Sequence, residues 1–187
     1  MAVRTFLALP LDEVIVRRLT EAQRSLSSAG ARVRWVALEN LHLTVKFLGD
    51  VIDEDLDKVC RTAEEIASQT QPFEFSIKGL SSVPPAGQMR MVWAGVDEPT
   101  GRLEKMHSIM EEAYARLGFR AENRAYRPHL TLGRVKSGQN VAQLRAAVGR
   151  YAETDFGVQS AEELIVFSSQ LTPKGPVYSP LKQASLG

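Results

Sequence analysis

Apolar residues recur along this chain with two periods, and the change from one to the other divides it into strands and helices. Val3 to Leu9 is nearly all apolar and stops at Pro10, as a mostly buried strand would. From Leu11 to Ser27 the apolar positions are Leu11, Val14, Ile15, Leu19, Ala22 and Leu26, which is one face of a helix, and Ala29-Gly30 ends it. Val33 to Val36 is a short strand. Leu38-Glu39-Asn40 leads from it into another, which closes at Gly49-Asp50. Asp53 opens a second helix, with Asp53, Glu54 and Asp55 in its first turn, where the helix dipole favours negative charge. Phe73, Phe75 and Ile77 alternate along the strand Pro72 to Gly79, a Pro/Gly loop spans Val83 to Gly87, and Met89 to Val96 is a further strand. A third helix runs from about Thr100 to Leu117 and stops at Gly118. After an arginine-rich stretch come a strand (His129 to Val135), a helix (Val141 to Tyr151) and strands around Phe156 to Val158, Glu163 to Thr172 and Val177 to Leu181.

Strands and helices are mixed, and several strands follow one another directly, so an α+β fold with antiparallel sheets is expected rather than a doubly wound parallel one. The order also repeats. Leu41-His42-Leu43-Thr44-Val45 and Pro128-His129-Leu130-Thr131-Leu132 lie 87 positions apart, each followed by a loop, a helix, strands, a Pro/Gly loop and another strand. Two like halves related by a pseudo-twofold would make one bilobal domain, residues 1–187, with a cleft between the lobes. They would set His42 opposite His129.

Side chains alternate faces along a strand, so His42 and Thr44 point the same way, as do His129 and Thr131. Two imidazoles flanking a phosphorus can divide proton transfer between them, since the ordinary histidine pKa lies near neutrality. The threonine hydroxyls can donate to phosphate oxygens where charge develops. A two-histidine metal site is the competing reading. It needs a third protein ligand, and no carboxylate lies near either motif.

Composition narrows this only a little. The chain has 187 residues, 44% hydrophobic and 24% charged, with a net charge of +1, so disordered and globally basic classes do not fit. Arg116 to Lys136, however, holds six cations and one anion, a local +5 running through the second motif. A single cysteine, Cys60, excludes an internal disulfide framework. No run is long and apolar enough to span a bilayer, so a cytoplasmic protein without a membrane partner is the default.

The stretches Asn40–Gly49 and Arg127–Arg134, with Arg4–Leu9 and Pro173–Tyr178, resemble the paired His-x-Thr-x motifs and flanks of the 2H phosphoesterase superfamily. More narrowly, they are similar to the bacterial and archaeal RNA 2′,3′-cyclic phosphodiesterases, formerly called 2′-5′ RNA ligases. The resemblance implies a bilobal α+β fold and hydrolysis of RNA 2′,3′-cyclic phosphate ends to 2′-phosphomonoesters, with no cofactor and no metal. It implies that His42 is the proton donor and His129 the proton acceptor, a division the residues alone do not assign. Weak 2′-5′ ligation is a chemically related side activity. Two other readings stay open: an RNA-binding module without catalysis, and a phosphodiesterase for a small cyclic nucleotide such as ADP-ribose cyclic phosphate. No obligate protein partner is indicated.

Five further residues are candidate substrate contacts. Arg134 follows His129 by five positions, and strict alternation turns it to the opposite face unless a bulge, which Gly133 permits, breaks the register. Lys46 has the parity of His42 and Thr44, though a solvated lysine at a strand end reads equally well. Tyr126 and Arg127 could meet the RNA backbone or stack on a base, or form a surface loop. Arg90 could sit at the rim. Trp35 and Trp93 read as core, His107 as a structural histidine, and Pro84-Pro85-Ala86-Gly87 lacks the ending of a nucleotide-binding P-loop.

Overall fold

The computed structural model describes residues 2–173 and 175–187; Met1, and Lys174 of the closing Pro/Gly loop, lie outside them. The strands among these residues are β1 (Ala2–Leu9), β2 (Val33–Trp35), β3 (Leu43–Ile52), β4 (Phe73–Val83), β5 (Met91–Asp97), β6 (His129–Val135), β7 (Asp155–Ala161), β8 (Glu163–Thr172) and β9 (Gly175–Ser185). The helices are α1 (Glu13–Ser27), α2 (Asp53–Ser68), α3 (Arg102–Arg116) and α4 (Val141–Gly149). A short 3-10 turn at Leu38–Asn40, which the apolar pattern does not announce, precedes the first motif.

Two sheets form, ordered β3-β1-β8-β9 and β2-β6-β5-β4-β7, and every paired neighbour is antiparallel. The fold is therefore α+β with antiparallel sheets, as the element order predicts. Each motif strand lies in a different sheet, and the two touch across the sheets rather than pairing in one. The unit β1-α1-β3 corresponds to β5-α3-β6: in each, a helix joins two antiparallel neighbours and the second strand carries the motif. The helices cross over. α1 packs with α4 and β7 on the second sheet, while α3 packs with α2 and β3 on the first.

Helical spacing explains what each helix buries. Ile15, Leu19, Ala22 and Leu26 of α1, Val59, Ala63, Ile66 and Ala67 of α2, and Leu103, Met106, Met110 and Tyr114 of α3 enter one contiguous core. Tyr114 is fully buried and donates its hydroxyl to the Val59 carbonyl at 3.0 Å, tying α3 to α2. Both sheets contribute to this core, and each draws strands from both halves of the sequence.

Candidate active site

The two motif strands share a deviation from regular pairing. In β3, Thr44 opposes Ala8 and Lys46 opposes Leu7, which leaves Val45 as an extra residue. In β6, Thr131 opposes Trp93 and Gly133 opposes Val92, which leaves Leu132 extra. Val45 and Leu132 both follow the motif threonine, so the same β-bulge occurs twice, 87 residues apart. Each bulge turns two successive residues to the core: Val45 and Lys46 at 3% exposure each, and Leu132 and Gly133, both buried.

The consequences for the predicted contacts are opposite. Arg134 pairs with Met91, in phase with Trp93 and Thr131, so the bulge returns it to the face of His129. It is exposed, and its Nη1 lies 3.4 Å from the Met91 sulfur. Lys46 goes the other way. The expectation that it shares a face with His42 and Thr44 fails, because Val45 takes the extra place. Lys46 is buried against Glu111 of α3, Nζ to Oε1 2.7 Å. Phe47, on the face of Thr44, occupies the position that corresponds to Arg134. It is 61% exposed and its ring centroid lies 5.8 Å from that of Phe6.

Both histidines are held in the same manner. His42 Nδ1 lies 2.8 Å from the Asn40 carbonyl and His129 Nδ1 lies 2.7 Å from the Arg127 carbonyl, in each case two residues back. A carbonyl can only accept, so each neutral ring carries its hydrogen on Nδ1 and leaves Nε2 as an acceptor. At His42 the Thr44 hydroxyl donates to that Nε2 at 2.9 Å. Asn40 is itself fixed, its amide donating to the Pro176 carbonyl at 2.9 Å.

Aromatic rings wall the site. Phe6 stacks on His42 at 4.8 Å, Tyr178 stands edge-on to it at 5.4 Å, and Trp93 stacks on His129 at 3.6 Å. None of the three was a predicted site residue. Trp93 and Phe6 belong to strands that read as apolar, and only the pairing with β6 and β3 turns them towards a histidine. Burial lowers the His42 pKa to about 4, against the pull of its carbonyl bond. His129 is also held below its ordinary value, by burial first and by the positive charge of Arg134. The same charge acts on Tyr178, whose pKa burial raises and Arg134 and Arg4 counter. Arg134 thus lies within electrostatic reach of His129 and of the ring packed on His42.

Tyr126 is not a free platform for a base. Its hydroxyl donates to the Thr44 carbonyl at 3.1 Å and its ring lies flat on His107 at 4.1 Å, so it ties the approach to His129 to the strand of Thr44. Burial pushes its phenol well above the usual range, which keeps the proton on this donor. Arg127 is exposed and reaches the site through its carbonyl. Arg90 is exposed next to Val135, one residue out of phase with Met91 and Arg134, and makes no side-chain hydrogen bond or ion pair among the described residues. No group of three or more His, Cys, Asp or Glu side chains is arranged to hold a metal among the described residues. No helix among them is long and apolar enough to cross a membrane.

Comparison with known proteins places these features in a group. A family model described as "LigT like Phosphoesterase" matches the chain twice, over residues 9–93 and 95–178, once for each motif. A protein of Methanothermobacter thermautotrophicus named RNA 2′,3′-cyclic phosphodiesterase is 37% identical over 97% of this chain and 98% of its own. One of the same name from Methanocaldococcus jannaschii is 34% identical over 96% and 99%. The crystal structure of TT0787 of Thermus thermophilus superposes with a TM-score of 0.84 at 26% identity, covering 98% of this chain and 97% of that one.

Proposed function

The chain belongs to the LigT-like phosphoesterase family, and from that premise we propose that it is an RNA 2′,3′-cyclic phosphodiesterase. On this reading it opens cyclic phosphate ends to 2′-phosphomonoesters without a metal ion, through His42 and His129. The whole chain acts as one unit, each half supplying one His-x-Thr. The observation that carries the reading is the matched pair of imidazoles. Both are anchored at Nδ1 by the carbonyl two residues back, and both are followed by the same bulge.

A water molecule attacks the phosphorus while His129 Nε2 takes its proton. The bond from phosphorus to O3′ breaks, and His42 Nε2 delivers a proton to that oxygen. One water is consumed and the phosphate stays on O2′. Protonated His42 no longer accepts at Nε2, so the Thr44 hydroxyl is released to donate, with Thr131, to the non-bridging oxygens, and Arg134 offers its planar guanidinium to the same charge. A 5′-hydroxyl in place of water would give a 2′-5′ linkage, a minor activity of the same site.

In the free protein His42 is neutral at pH 7, because its pKa is about 4. The donor role therefore requires the phosphodiester itself to bring the proton on. An anion beside an imidazole favours the charged form and raises its pKa, by roughly 1–3 units for a close pair. His129 needs no such change, since a lowered pKa keeps it in the basic form.

The test is an oligonucleotide ending in a 2′,3′-cyclic phosphate. The protein should yield the 2′-phosphate, and exhaustive chelation should leave the rate unchanged. His42→Ala and His129→Ala should each lose about 10²- to 10⁴-fold. A substrate with sulfur at the bridging 3′ position has a leaving group that needs no proton, so it should rescue His42→Ala and not His129→Ala. Rescue of the other variant would reverse the assignment, full activity in either would remove the mechanism, and loss under EDTA that zinc restores would favour a metal site.

A further inference from the structure

One charge near the site is used by no step of the hydrolysis. Arg34, in the three-residue edge strand β2, lies directly across from Arg134 in β6. Directly paired residues share a face, so Arg34 projects on the side of His129, Thr131 and Arg134, one strand further out. Both arginines are exposed, and the Arg34 side chain makes no hydrogen bond or ion pair among the described residues. Its guanidinium reaches the turn of the β8–β9 hairpin: Nη2 lies 3.2 Å from where a Cβ on Gly175 would be. Arg34 therefore stands on the second sheet and extends to a hairpin of the first.

Like charges directly opposite on a sheet repel. No acidic side chain relieves this pair: every ion pair among the described residues is made elsewhere. Two guanidiniums left unpaired side by side are what a ligand with two neighbouring anionic groups would need. A mononucleotide cyclic phosphate has one. The end of an RNA chain has the cyclic phosphate and, one nucleotide upstream, a diester phosphate.

We propose that Arg34 binds the first phosphate upstream of the cyclic end, so that the site selects RNA ends over cyclic mononucleotides. The inference rests on the phosphodiesterase reading for the position of the cyclic phosphate. It deepens that reading by naming the substrate class: an oligonucleotide of at least two residues. Arg134 serves the reacting phosphate, and Arg34 serves the one the reaction leaves intact.

Turnover of adenosine 2′,3′-cyclic phosphate is to be compared with that of an oligonucleotide bearing the same end. Arg34→Gln should raise KM for the oligonucleotide about tenfold, leave its kcat nearly unchanged, and leave kcat/KM for the mononucleotide within about twofold. The dependence of log affinity on log salt should flatten by about 0.7, the value for one phosphate of a single strand that is no longer neutralised. A neutral methylphosphonate at the first upstream position should weaken the wild type about as much and add little to the loss in Arg34→Gln. Arg34→Lys, which keeps the charge, should recover part of the loss. Equal effects on both substrates, no effect on the oligonucleotide, or a full second loss with the methylphosphonate would each overturn the inference. Were the wild type to hydrolyse neither substrate, the phosphodiesterase reading would fail. Binding of a labelled oligonucleotide ending in a 2′-phosphate would then decide for Arg34: about tenfold weaker binding in Arg34→Gln supports the proposal, and unchanged binding overturns it.

Discussion

His42 shows how one side chain is set between a structural and a chemical state. Its Nδ1 hydrogen is committed to Asn40, its Nε2 to the Thr44 hydroxyl, and its ring to Phe6 and Tyr178. Every one of these contacts is satisfied by the neutral imidazole, and burial opposes charging it. The folded pKa, about 4, lies below the ordinary value of 6.5. Between those pH values the unfolded chain takes up a proton that the native protein refuses. The contribution to stability is thus fully present above pH 6.5 and is lost as pH falls through 4, amounting to about 3 kcal/mol. Denaturant titrations at pH 7 and pH 4 should show that His42→Gln loses about that much less on acidification than the wild type. Equal losses would mean that the ring is hydrated in solution. The motif itself was legible in the sequence, because a period of two needs only local chain geometry. The depression of the pKa was not, because Phe6, Phe167 and Tyr178 reach His42 from strands far away along the chain.

At the level of the element, the duplicated bulge decides which neighbours of the histidines lie on their face. Parity along an unbroken strand would give Lys46 to the cleft and withhold Arg134. The bulge reverses both. The cost of a bulge is a ladder position left unpaired, and in β6 that position is filled: the Leu132 carbonyl accepts from the Val36 N–H at 2.8 Å and from the Gln23 side-chain amide at 2.9 Å. Gln23 is 5% exposed and bonds the Val36 carbonyl as well, so a glutamine on the buried face of α1 secures the bulge. Gly133 completes the arrangement. A Cβ there would lie 2.7 Å from Trp35 Cε3 and 2.7 Å from Val33 Cγ1, so β2 can approach β6 only over a glycine. Gly133→Ala should push β2 away, cost about 1–3 kcal/mol in thermal or chemical unfolding, and raise KM by displacing Arg134 and Arg34. Unchanged stability and KM would show that Trp35 and Val33 yield freely.

For the whole molecule, the repeat in the sequence and the division into sheets do not coincide. The first sheet takes β1 and β3 from the N-terminal half and β8 and β9 from the C-terminal half; the second takes β2 and β4 from the first half and β5, β6 and β7 from the last. Neither half contains a complete sheet, and the core is shared. Residues 1–87 and 88–187, divided in the loop between β4 and β5, should therefore each lack cooperative unfolding and dispersed amide spectra when expressed separately, and the intact chain should unfold in one transition. A half that folds alone would refute this. By itself the sequence determined the kinds and order of the elements, the duplication, and the two histidines with their threonines, since hydrophobic period and residue chemistry are local properties. The tertiary structure alone decided which strands lie side by side, and with that the bulges, the burial of Lys46 and Tyr126, the recovery of Arg134 and the pairing of Arg34 with it. Those outcomes depend on which residue opposes which across a sheet, and register between strands distant along the chain is set by packing that no single stretch encodes.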